Sequence, residues 1–260
     1  MKRLIGIGLL MTSACLWATD WQHSFEIEQL FVDADVRGTF VLYDVTENKF
    51  IGFDRQRAEA RFVPASTFKI PHTLIGLAED AVKNVDEVLP YGGEPQPFSS
   101  WEKDMSLRDA LPISNVPVYQ SLARRITSER MSENLALLAY GNGDAGAVVD
   151  RFWLDGPLTI SAVEQVTFLA KLAQDGLPYS AHWQAQVREI TRLEQHENGT
   201  LYGKTGWTTA HDPAIGWWVG WVVKEGKAYS FALNMDMPNS ADAPKRVELG
   251  RKSLAILGVF

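Results

Sequence analysis

Cysteine is almost missing from this sequence: Cys15 is the single thiol in 260 residues. One cysteine cannot close a disulfide within the chain. A small stapled scaffold is therefore excluded, and stability has to come from a core, which the length permits. Metal-ligand spacing is missing too. The five histidines, His23, His72, His182, His196 and His211, form no His-x-His or His-Glu-x-x-His pattern. That argues against a zinc hydrolase and leaves them as surface or packing residues. Positive charge is in deficit, with 25 Lys and Arg against 32 Asp and Glu and a formal charge of −7. Nucleic acid is not expected as the main partner. Long apolar runs are lacking as well. Leu4–Met11, which follows the basic Met1-Lys2-Arg3, is too short to span a bilayer and has the form of a secretory signal. Cleavage is expected after Ala18, giving residues 1–18 as signal peptide, 19–260 as the mature domain and the periplasm as destination. The competing reading is a lipoprotein signal, with Cys15 lipidated after Thr12-Ser13-Ala14. Repeats, low-complexity segments and linkers are not found.

What is present is 46% hydrophobic and 22% charged sequence, enough for one sizeable core, in one lobe or two. A short helix is predicted near Phe25–Val32. Gly38–Val45 and Lys49–Phe53 alternate apolar and polar residues around Thr46-Glu47-Asn48, which reads as a hairpin. From Ser66 to about Leu193 the periodicity is helical, over Val118–Ile126, Met131–Ala139, Ser161–Gln174 and Ala181–Leu193. Strand patterns return from Gly199, with Ile215–Val223 and Lys227–Met235 flanking a second turn, and Pro244–Leu257 closes as a helix. The fold class is α+β: an antiparallel sheet built from both ends of the chain, flanked by N- and C-terminal helices, with an all-helical subdomain inserted. A site is expected between the two lobes.

Four short motifs carry chemistry. In Ser66-Thr67-Phe68-Lys69 the hydroxyl and the amine are three residues apart, so on a helix they share a face. A serine alcohol becomes a nucleophile when a neighbouring base takes its proton. Pro64 suits an early helical position, which puts Ser66 in a first turn, where free N–H groups favour developing negative charge. Lys204-Thr205-Gly206 reads as a strand end whose lysine and hydroxyl project toward a cleft. Ser114-Asn115-Val116 and Tyr140-Gly141-Asn142 fall on loops. A Ser-x-x-Lys occurs by chance about once in a chain of this length, but the four motifs in this order do not.

With these motifs the sequence resembles the class D (oxacillinase-type) serine β-lactamases of the penicillin-recognising serine enzyme superfamily. The likeness runs from Gly38-Thr39-Phe40-Val41 to the last helix and includes Phe152-Trp153-Leu154-Asp155-Gly156 and Ile160-Ser161-Ala162-Val163-Glu164-Gln165. It implies hydrolysis of β-lactams of the penicillin and oxacillin type, conferring resistance. Ser66 is the implied nucleophile, with the backbone N–H groups of Ser66 and Trp207 as oxyanion hole. Lys69 is expected to be carboxylated by carbon dioxide or bicarbonate (N6-carboxylysine) and to act as general base in a pocket of Phe68, Val116, Trp153 and Leu154. Ser114 and Lys204 handle the proton and charge at the leaving nitrogen. Thr205, Gly206 and Arg246 hold the substrate carboxylate, Trp101 lines the entrance, and Tyr140-Gly141-Asn142 shapes the site. Apart from that carbon dioxide, no metal or organic cofactor is expected. The partner is the small-molecule substrate, with no membrane span, and the chain is a monomer or homodimer. Related classes carry Asn at the third position of the Ser-x-Asn motif, so Val116 favours class D by leaving the lysine pocket drier. A D,D-peptidase acting on cell-wall peptides and a non-hydrolytic β-lactam sensor domain remain as alternatives.

Overall fold

A computed structural model describes residues 20–197 and 199–260. The expected signal peptide and Cys15 lie outside the described residues. Seven strands form the main sheet: β1 (Asp20–His23), β2 (Gly38–Asp44), β3 (Lys49–Gly52), β4 (Arg192–His196), β5 (Gly199–Thr208), β6 (Ala214–Lys224) and β7 (Lys227–Met237). Their spatial order is β1-β3-β2-β7-β6-β5-β4. All pairings are antiparallel except β1 with β3, so both ends of the chain feed one sheet, as the sequence pattern predicts.

Strand residues alternate between the two faces, and here both faces are covered. On β6, Trp217, Val219 and Trp221 enter one core while Trp218 and Val222 enter the other. That is why β6 reads as an almost unbroken apolar run. One face is covered by α1 (Phe25–Asp33) and the last helix, α7 (Lys245–Ile256). Gly250 of α7 lies against the Trp218 ring, where a Cβ would come within 2.1 Å of the indole. The other face receives α5 (Ala162–Ala173) and, beyond it, a helical layer containing α2 (Lys69–Ala78), α3 (Val116–Ile126), α4 (Ser128–Leu138) and α6 (Ala181–Thr191). α5 crosses β7, β6 and β2, and Ser230 of β7 donates to the Val166 carbonyl.

Local chemistry sets the helix limits. Ser161 and Glu164 form a reciprocal capping box at the start of α5, a device worth about 1 kcal/mol. α3 begins at Val116, two residues ahead of the apolar pattern, because Asn115 Oδ1 accepts from Val118 N–H and Pro117 suits the first turn. α6 ends at Thr191, and Arg192–His196, partly read from sequence as helix, pairs with β5 as an edge strand. Among the described residues no helix is long and apolar enough to cross a membrane.

Candidate active site

Ser66 does not sit in an α-helix as predicted. It occupies a 3-10 turn, Ala65–Phe68, that runs directly into α2 at Lys69. Ala65 carries φ of +50°, an unusual conformation for a residue with a Cβ, and it is almost wholly buried. The surroundings hold it there. Thr67 Oγ1 donates to the Pro64 carbonyl and accepts from Gln165 Nε2 at 2.9 Å, and Gln165 Oε1 meets the Tyr140 hydroxyl. Tyr140-Gly141-Asn142 thus buttresses the serine turn through Gln165. Gly141, at φ +56°, lies so close to the Thr159 carbonyl that a Cβ there would approach it to 2.1 Å.

The spacing of Ser66 and Lys69 does bring the two groups together. Lys69 Nζ donates to Ser66 Oγ at 3.1 Å. The lysine has no exposed surface, and its walls are aromatic: its nitrogen lies 5.0 Å from the centre of the Tyr119 ring, and the Phe68 ring is stacked 5.9 Å from that of Trp153. Burial, with Lys204 as a neighbouring like charge, holds the Lys69 amine well below the ordinary lysine range. Trp153 is buried with its indole N–H unpartnered. Leu154 is half-buried and held by Thr208 Oγ1, which donates to its carbonyl at 2.9 Å. Val116 is half-buried, faces the cleft, and brings no polar atom to it.

The second serine–lysine pair stands nearby. Ser114, also at positive φ (+56°), accepts from Lys204 Nζ at 2.5 Å. Lys204 also donates to the Thr205 carbonyl at 2.9 Å and lies 3.4 Å from its hydroxyl. Desolvation, aided by the charge of Arg246, lowers Lys204 to about 7. β5 carries Lys204, Thr205, Gly206 and Trp207 past the nucleophile turn. A Cβ on Gly206 would come 2.9 Å from the Pro64 carbonyl and 3.0 Å from Thr67 Cγ2, so glycine is what allows this approach. Arg246 donates from Nη1 to the Gly206 carbonyl at 2.5 Å and from Nε to the Ala243 carbonyl at 2.8 Å. Room for its side chain is left by Gly216, where a Cβ would sit 2.7 Å from Arg246 Cδ.

Part of this constellation opens onto one cleft of about 680 Å³, whereas Lys69, Lys204, Phe68 and Trp153 are buried and do not line it. Ser66, Ser114, Val116, Leu154, Thr205, Gly206, Trp207 and Arg246 line it, and so does Trp101. Trp101 is fixed by a bond from its indole to the Ile113 carbonyl and by an edge contact with Phe98. Phe98, Ile113 and Asp155 also line the cleft and were not singled out from sequence. Tyr119 beside Lys69 was missed as well. Its spacing within α3 marks it only as a core position, although the lysine packs on its ring.

The comparisons agree with this architecture. The penicillin binding protein transpeptidase domain family matches residues 38–255. The chain is 40% identical over 233 residues to β-lactamase OXA-5 of Pseudomonas aeruginosa, covering 88% of this chain and 87% of that one. It is 41% identical over 225 residues to β-lactamase OXA-48 of Klebsiella pneumoniae, covering 86% and 84%. The crystal structure of FUS-1 (OXA-85), a class D β-lactamase from Fusobacterium nucleatum subsp. polymorphum, superposes with a TM-score of 0.89 at 44% identity. That match covers 92% of this chain and 100% of the other. The chain belongs to the penicillin-binding-protein transpeptidase family and, within it, to the class D β-lactamases.

Proposed function

We propose that this enzyme hydrolyses β-lactam antibiotics of the penicillin and oxacillin type through an ester on Ser66, with a carboxylated Lys69 as general base, and that it does so in the periplasm, conferring resistance. The observation that carries the reading is Lys69: a fully buried amine, 3.1 Å from the serine oxygen, in a box whose Trp153 indole has a spare donor. A neutral amine is the form that reacts with carbon dioxide, and burial favours it. The spare indole N–H fits the acceptor oxygens that such a carboxyl group adds. When bound, carbon dioxide turns Lys69 into a base for both ester formation and ester hydrolysis.

Ser66 Oγ bonds to the lactam carbonyl carbon and its proton leaves toward Lys69. The backbone N–H groups of Ser66 and Trp207 hold the carbonyl oxygen as it gains charge, each donor contributing about 3 kcal/mol to the transition state. The ring C–N bond then breaks, and Ser114, 2.5 Å from Lys204 Nζ, delivers the proton to the departing nitrogen. Thr205, Gly206 and Arg246 hold the substrate carboxylate, with Lys204 adding positive charge nearby. The apolar wall of Phe98, Trp101 and Ile113 suits the aryl side chain of an oxacillin-type penicillin.

Intact-mass measurement with oxacillin, beside nitrocefin turnover and turnover of a D-alanyl-D-alanine peptide, tests the reading. The expected result is a transient adduct on Ser66 and rapid nitrocefin hydrolysis without peptide cleavage. A permanent adduct, or cleavage of the peptide, contradicts it and points to a sensor or a peptidase.

A further inference from the structure

His72 is a buried polar residue without a structural explanation. Its ring is wholly inaccessible, and neither nitrogen has a hydrogen-bond partner among the described residues. Buried polar atoms are almost always paired, so an orphaned imidazole is either a defect or an acceptor and donor awaiting a ligand. Its place favours the second. His72 follows Lys69 by three residues on α2 and so shares its face. Its ring centre lies 5.0 Å from that of Trp153 in an edge contact, and 5.4 Å from that of Tyr119, the ring over which the Lys69 nitrogen sits. Phe68, 5.3 Å away, closes the box. A residue needed only to fill this space would be apolar.

We propose that His72 is a positioning residue for the Lys69 base: its neutral imidazole and the Trp153 indole together hydrogen-bond the carboxylated lysine side chain. The inference rests on the carboxylated-lysine reading above. A carboxyl group on the amine presents two oxygens, and the pocket holds two unpartnered N–H groups to meet them, one on Trp153 and one on a neutral His72. Complete burial, the larger cause of its lowered basicity, disfavours the charged imidazole and so favours the neutral ring that carries one N–H. The chemistry balances simply: the amine lone pair forms the N–C bond to carbon dioxide as one C=O π pair moves onto oxygen, one N–H proton passes to solvent water, and the resulting anion accepts both hydrogen bonds.

The test compares wild type, His72→Phe and His72→Asn after removal of carbon dioxide and titration with ¹³C-bicarbonate, following both the carbamate resonance and the recovery of nitrocefin turnover. His72→Phe keeps the ring shape without donors and is expected to need about tenfold more bicarbonate or worse, the usual scale of one lost bond to a charged group. His72→Asn restores a donor and is expected to recover most of that loss. A His72→Phe enzyme with wild-type bicarbonate affinity overturns the proposal. Should His72→Phe not fold, ¹⁵N-histidine labelling of the wild type decides: the His72 ring nitrogens shift on adding bicarbonate, and unmoved resonances refute it. Absence of any carbamate signal in the wild type rejects the base reading itself, a different outcome from an unchanged affinity in the variant.

Discussion

Two buried lysines stand within hydrogen-bond distance of two serines that line one cleft, and the surroundings of the lysines differ. Lys204 is bound by three oxygens, from Ser114 and from the Thr205 backbone and side chain. Lys69 has one oxygen, Ser66 Oγ, and otherwise aromatic faces. The positive charges also line up: Arg246 lowers Lys204, and Lys204 in turn lowers Lys69. Lys204, lowered to about 7, keeps its charge for part of the physiological range, whereas burial holds the Lys69 amine well below the ordinary lysine range. Desolvation is the larger cause at both lysines, and a neighbouring like charge adds to it at each. One residue type thereby suits the two roles proposed above, an electrostatic anchor at one position and a reactive amine at the other.

Removing the partner of the dry lysine gives the largest expected effect. Ser66→Ala leaves Lys69 without its oxygen and the substrate without a nucleophile, and nitrocefin turnover should fall by about a thousandfold or more with the fold intact. Turnover near wild type would refute the assignment of Ser66. Trp153→Phe keeps the aromatic wall but deletes the spare indole donor. Ester hydrolysis should slow about tenfold to a hundredfold, more than ester formation, so the acyl-enzyme accumulates in stopped-flow or mass experiments. Equal slowing of both steps would show that the indole only packs.

The oxygen-bound lysine should respond to pH instead. Lys204 loses its proton as pH rises through about 7, so kcat/KM for carboxylate-bearing substrates should fall on the alkaline side by about tenfold. Lys204→Arg, which stays charged, should flatten that limb. A limb that persists in the variant assigns it to another group.

A smaller contrast concerns stability. For His72 the folded value, about 3, lies below the unfolded value of 6.5, so below pH 6.5 the unfolded chain binds a proton that the folded one refuses. Stability is therefore lost as pH falls from 6.5 toward 3, by up to about 5 kcal/mol over the whole span, and His72→Phe should reduce that slope in denaturant titrations. An unchanged slope would place the acid sensitivity elsewhere.

That Ser66 and Lys69 would meet was legible in the sequence, because their spacing brings hydroxyl and amine together. Ser66 and Lys69 fall three apart, and Lys204-Thr205-Gly206 has to end a strand whose glycine permits close approach to the serine turn. The lysine's box was only half visible. Phe68, Trp153 and Leu154 lie in recognisable motifs, but Tyr119 reads as an ordinary core position of α3, and His72 was taken for surface or packing. Their meaning appears only when α2, α3 and the Phe152–Gly156 segment meet in space. Among the strands, Arg192–His196 escaped notice because it is an exposed, charged edge without apolar alternation, and Asp20–His23 because it is a short exposed strand set by parallel pairing with β3. The 3-10 turn at Ser66 was hidden for a similar reason. It depends on a strained Ala65 that tertiary contacts hold in place, and local propensity does not predict it.

The central claim is that the buried Lys69 amine works only after taking up carbon dioxide. Nitrocefin hydrolysis by enzyme stripped of carbon dioxide, then titrated with bicarbonate, tests it most directly. The account predicts turnover that is nearly lost in the stripped enzyme and recovers saturably with bicarbonate. Full-speed catalysis in carbon-dioxide-free buffer would contradict it.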